Sequence, residues 1–476
     1  MTTCNRMAVG KPEDGTSTAD SALGRSSNVT DNTGTGGVTP VSLTCVTTTG
    51  WTGQQKVNFY SQDLSDGELD DLEMEKEYGA TDSFSKLHRA SYRGDLKEVK
   101  RLTEEKQLSP LQKDTHGMNA LHHAARRGQL GVLKYFTKER GCNPTSQDHD
   151  GWTPLHYAAR HNHLELVQYL VAKQQVEPLS RTKNNSTPLH LACIGGDIDT
   201  VRYLMNEMKI HLPLKKILHI RNCDGCLPLH CAANCGGNIF HYIVSEMSKY
   251  LPLKDVICIQ DQHGLTPLHH AAKGNHLELV QYLISEQQVD PLCRTHNRDT
   301  PLHHACQGGN IDVVCYLVKE MNTYLSLDNV AVIKNVDGIG PLHEAWCHDH
   351  LEVIKFFFNE VDRDPSDKDK VTPLDMAAGK GHLDVVKYLT LEQHCDPLCR
   401  NKDNNTPLHS AAKHSQLEVV KFFIETLHCP PDIRGWHNMT PLELARSQGH
   451  YHVVKYLEST ILTSSSLKYL CTSCYV

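Results

Sequence analysis

The chain has 476 residues with a net charge of −8 and 18 cysteines. That acidic balance argues against nucleic acid as a partner, since nucleic-acid binders carry a basic footprint. No stretch nears the roughly 20 apolar residues of a membrane span, and the N-terminus MTTCNRMAVGKPEDG lacks a signal peptide's apolar core. The expectation is a cytoplasmic protein, with nuclear entry left open, no membrane insertion and its thiols reduced.

Residues 1–60 are rich in Thr, Ser and Gly with few large apolar side chains. Such a segment buries too little surface to offset its ordering entropy, so residues 1–80 are expected to be a disordered arm. Within it, SDGELDDLEMEKE (65–77) carries seven acidic residues interleaved with Leu69, Leu72 and Met74. It reads as a solvated linker, with self-masking of the neighbouring positive surface as the alternative.

From there the chain repeats itself. KLHRAS at Leu87, ALHHAA at Leu121, PLHYAA at Leu155 and PLHLAC at Leu189 open a series. It continues at Leu229, Leu268, Leu302, Leu342, Leu374, Leu408 and Leu442. Six of the ten intervals are 34 residues, three are 39 or 40, and one is 32. In DGWTPLHYAARHNHLELVQYL, Thr153 can cap a helix whose first position, Pro154, has no N–H to lose. Leu155, Ala158 and Ala159 then share one face, Asn162 suits a left-handed turn, and Leu164, Val167 and Leu170 mark a second helix. Gly151, like Gly117, Gly225, Gly264 and Gly338, sits where a tight turn needs positive φ. Asn185, Asn404 and Asn438 substitute for it, while Arg298 and Lys370 break the pattern.

A turn plus two antiparallel helices in about 34 residues, with a T-P-L-H-x-A signature, resembles the ankyrin repeat over roughly residues 84–458. The resemblance implies an all-α, L-shaped solenoid of about eleven helix pairs, with hairpin tips along a concave side that binds other proteins. At about 10 Å per repeat, such a groove is on the order of 100 Å long. The array is placed at 81–460 and a short C-terminal tail at 461–476. The longer intervals share inserts, LPLKKILHI, LPLKDVICI and LSLDNVAVI, whose aligned apolar positions predict a packed extension.

Three clusters invite chemistry. HEAWC at His343 nearly matches H-E-x-x-H, but Cys347 stands where the second histidine is required. Trp346 occupies a position that other repeats give to small residues, which predicts altered stacking nearby. CDGCLPLHCAANC (223–235) holds four cysteines, of which Cys223, Cys226 and Cys235 are the metal candidates if there is a site at all. Nine of the 31 histidines are repeat positions; in ankyrin-like structures that histidine bonds backbone between neighbouring units, so they are expected to be architectural.

No catalytic residues, cofactor or metal are assigned. The expectation is a monomeric, non-enzymatic scaffold or adaptor holding proteins or extended peptides. Its candidate contacts are Arg93, Arg126, Arg127, His149, Trp152, Arg160, His161, Gln262 and Lys273. The alternative is a thiol- or zinc-responsive regulator centred on Cys223–Cys235.

Overall fold

Each T-P-L-H segment starts a helix, and the histidine is part of the cap. In the computed structural model, which describes residues 83–331, 333–361 and 373–472, Nδ1 of His156 accepts from the Thr153 N–H at 3.2 Å. His190, His269 and His409 do the same for Thr187, Thr266 and Thr406. The ring takes the place of the Glu of a capping box, a role that Glu443 itself fills in the last repeat. With Nδ1 accepting, Nε2 carries the proton and in most of these histidines donates onward into the next repeat, although His156 Nε2 has no partner among the described residues. His190 reaches the Ile220 carbonyl at 3.1 Å and His230 reaches Ile259 at 3.0 Å. One side chain thus starts its own helix and ties down its neighbour.

The described residues are helical with no strand, and they lie in one compact unit. Eleven first helices carry the eleven repeat leucines, from Ser83–Arg93 and Ala120–Arg126 to Pro407–Lys413 and Pro441–Ser447. Consecutive first helices pack on one another, as Pro154–Arg160 does on Pro188–Gly195 and Pro267–Lys273 on Pro301–Gly308. Fully buried alanines such as Ala158, Ala192 and Ala271 permit the close approach. Nine of the repeat leucines are 0–1 % exposed. Leu342 and Leu442 are half-buried. Leu442 lies in the last repeat. Leu342 shares its helix with Trp346, whose ring is buried against His343 and takes core volume that an alanine would leave free.

The turn after each first helix needs a left-handed residue. Gly94, Gly128, Gly196 and Gly309 supply it, and so do Asn162, Asn275, Asp349 and Ser415. Second helices end in two ways. In five repeats the last turn widens to a π turn, as in Tyr135–Glu139 and Tyr169–Lys173. The Cys142 N–H closes it on the Phe136 carbonyl, with Gly141 left-handed between them. After Ile198–Met208, Gly237–Met247 and Ile311–Asn322 the inserts form short helices instead: Leu214–Leu218, Leu253–Ile257 and Leu327–Ala331. Ile217, Val256 and Val330 are fully buried, so the extension is packed. The last helix, Tyr451–Thr472, runs beyond the expected end of the array. The arm, with segment 65–77, and Lys370 lie outside the described residues. No helix among those described is long and apolar enough to cross a membrane.

Candidate functional site

The hairpins between repeats are built on a short polar residue. Asp148 Oδ1 accepts from the N–H groups of Asp150 and Trp152. Asp114, Asn222, Asp261, Asn335 and Asn401 repeat this pattern. Where the turn residue is glycine, a side chain would collide with the next hairpin. Gly225 has φ +71°, and a Cβ there would fall 2.5 Å from the backbone nitrogen of Gln262 in the next hairpin. Arg298 nonetheless adopts φ +64°, so the turn forms without glycine and carries the strain.

Over residues 114–338, close approach lets each hairpin bond the one before it. The N–H groups of His149, Lys183, Cys223, Gln262, His296 and Val336 donate to the carbonyls of His116, Asp150, Asn184, Asp224, His263 and Asn297, at 2.9–3.3 Å. From His116 to Val336 the tips therefore form a continuous backbone row without a regular strand. His149 and Gln262 project from it exposed. Trp152 lies half-buried behind it, its ring 5.1 Å from that of Tyr157. Trp152 is therefore no freely projecting tip side chain, because an aromatic five residues on offers it a packing partner.

The other candidates line the ends of the first helices. Arg93 is exposed; Arg126, Arg127, Arg160 and His161 are half-buried. The Arg127 guanidinium lies over the Tyr92 ring at 5.2 Å, and Arg160 donates to the Ile194 carbonyl at 3.4 Å. Burial, then the charges of Arg126 and Arg160, press the His161 pKa down to about 3. Repeats two and three thus concentrate positive charge on one edge. Lys273 lies separately, in the sixth repeat. Burial lowers its pKa, and the Glu344 carboxylate of the eighth repeat opposes that shift. Burial raises Glu344 to about 7. Between them in the seventh repeat, both ring nitrogens of His304 are buried with no hydrogen-bond partner among the described residues. Of this group sequence reasoning named Lys273 as a contact and met Glu344 only within the H-E-x-x-H likeness; it did not single out His304, which stands beside a repeat histidine. His343 itself is architectural, accepting from the Gly340 N–H.

Among the cysteine candidates, Cys223, Cys226 and Cys235 do not converge on one point. Cys223 is exposed, with its thiol directed to the Lys183 carbonyl, and Cys235 sits half-buried at the end of Pro228–Cys235. Cys226 instead turns inward to Asp261 of the next hairpin at 3.6 Å. The nearby D-x-H-G-x-x-x-L-H-H pattern could have pointed to this, since it places Asp261 opposite His270.

A family model described as ankyrin repeats (3 copies) matches the chain at residues 87–181, 172–255, 245–329, 321–399 and 388–461. No curated protein matches it.

Proposed function

The chain belongs to the ankyrin-repeat family, and on that premise we propose that it is a non-enzymatic scaffold holding other proteins or extended peptides along its hairpins and first helices. The observation that carries the reading is the edge formed by Arg126, Arg160 and His161 beside the hairpin row. Burial, with the charges of Arg126 and Arg160 adding to it, holds His161 neutral there. A row of hairpins bonded one to the next is ordered in advance, so a partner spends little on ordering it. Charge of one sign on the edge selects acidic segments and speeds their encounter.

Affinity capture with the full chain would supply the partner, and calorimetry with an Arg126→Glu/Arg160→Glu double variant tests the surface. The partner should bind at least tenfold more weakly to the variant, with the melting temperature unchanged and the wild-type affinity falling with salt. Equal affinity for both chains would remove this edge from the binding surface.

A further inference from the structure

Cys226, Asp261 and His270 bring sulfur, oxygen and nitrogen to one point at the junction of the fifth and sixth repeats. Sγ of Cys226, a carboxylate oxygen of Asp261 and a ring nitrogen of His270 all lie within 4.8 Å of one another. Cys226 and Asp261 are buried, and His270 is half-buried. We propose that these three residues form a zinc site that clips the two repeats together.

The spacing is that of a tetrahedral ion. Zinc–sulfur bonds of about 2.3 Å and zinc–oxygen or zinc–nitrogen bonds near 2.0–2.1 Å place neighbouring S and O ligands about 3.6 Å apart, and N and O ligands about 3.3 Å apart. Sγ of Cys226 lies 3.6 Å from Oδ2 of Asp261, and Nε2 of His270 lies 3.2 Å from the same oxygen. Two edges of the coordination figure are therefore already set.

The carboxylate is also held in place. Oδ1 of Asp261 accepts from the N–H groups of His263 and Leu265 at 2.8 and 2.9 Å, leaving Oδ2 for the ion. Such outer contacts fix ligand orientation. His230 lies beside the cluster, its ring centroid 5.2 Å from that of His270. It does not compete, since Nδ1 accepts from Leu227 and Nε2 donates to Ile259. The protein supplies three ligands, so the fourth is water. A thiolate with an imidazole selects a borderline-soft cation such as zinc over magnesium or calcium.

An aspartate bonded to the residue nine positions on is by itself structural. Asp114 pairs with His123, and Asp148 with Tyr157. The second hairpin also gains a third donor, His88 of the first repeat. What sets the sixth apart is that its third donor is a thiol, at a position where other repeats carry Met118, Trp152 or Leu265. Binding breaks the Cys226 S–H bond. The sulfur gives its electron pair to zinc, and the proton leaves to solvent, so affinity falls as pH is lowered.

Cobalt reports the site directly. The full chain, stripped with chelator and kept reduced, is titrated with Co²⁺ and followed by absorbance. One equivalent should produce a sulfur-to-cobalt charge-transfer band and tetrahedral d–d bands, abolished by excess Zn²⁺. Cys226→Ser should lose the charge-transfer band, Cys223→Ser should keep it, and His270→Gln should weaken cobalt binding at least tenfold. Circular dichroism of the stripped variants guards against misfolding. A wild-type chain without the band, or a band surviving in folded Cys226→Ser, would overturn the site.

Discussion

The hydroxyl of Tyr157 donates to Oδ2 of Asp148 at 2.6 Å, tying the third hairpin to the helix that follows it. Asp148 is buried, and its other oxygen holds the amides of Asp150 and Trp152. Removing the hydroxyl leaves a buried carboxylate oxygen unmatched, which costs about 1–3 kcal/mol. Tyr157→Phe should lower the urea midpoint accordingly and speed exchange of the Asp150 and Trp152 amides. Unchanged exchange would mean that the hairpin stands without this bond.

Leu268 is fully buried between first helices, and Leu268→Ala should cost about 2–5 kcal/mol. Trp152→Ala removes an indole that is only half-buried on Tyr157. It should cost clearly less, on the order of 1 kcal/mol for the lost ring contact. Thermal melts of the two variants give the order. Equal losses would place Trp152 in the core.

The cap histidines make the array sensitive to acid. Burial lowers the pKa of His122, His156, His190 and His409 to about 4 and of His269 to about 3. Above pH 6.5 these rings are neutral folded or unfolded, and stability is undiminished. Below it the unfolded chain takes up protons that the folded chain refuses, so stability falls as pH drops from about 6.5 toward 4. At pH 5 each ring costs on the order of 2 kcal/mol. Urea midpoints at pH 7, 6 and 5 should therefore fall steadily. A flat series would show that protonated rings are tolerated in the caps.

Arg298 holds φ +64° with an exposed side chain. The left-handed conformation costs a non-glycine residue roughly 1–2 kcal/mol, partly offset by the entropy glycine loses on folding. Arg298→Gly should raise stability by about 0.5–1 kcal/mol. Guanidinium midpoints would reveal it, and a destabilised variant would mean that the arginine side chain holds the turn.

The arm can be tested by deletion. Residues 65–77 carry seven carboxylates just before a basic edge, and a short tether gives an effective concentration near the millimolar range. If the arm masks that edge, a chain starting at Asp82 exchanges amides faster in the first three repeats at low salt, with the difference gone at high salt. Equal protection at low salt would leave the arm a plain linker.

Much of this was legible because each repeat writes its own rules locally. Thr187, Pro188 and His190 lie within four residues, and so cap, first turn and tie are visible together. Arg298 misled because the aspartates and asparagines elsewhere imply a turn that needs glycine, whereas the neighbouring hairpins impose it regardless. The union of Cys226 with Asp261 and His270 was hidden for another reason. Its members belong to different repeats, and sequence spacing says nothing of which way a hairpin side chain turns between them. Trp346 was flagged by its size alone, and the half-burial of Leu342 gives the local form of the response.

The bonds between hairpins join residues 33 apart, as from His116 to His149, or 38 or 39 apart, as from Asn184 to Cys223, at nearly the same length. The additional residues are taken up in short helices such as Leu214–Leu218, after the second helix, and never reach the hairpin row. That row is graduated like a ruler whose marks do not move when the chain behind them lengthens. Insertions after a second helix can therefore accumulate over evolutionary time without shifting the interval at which a long ligand meets successive tips.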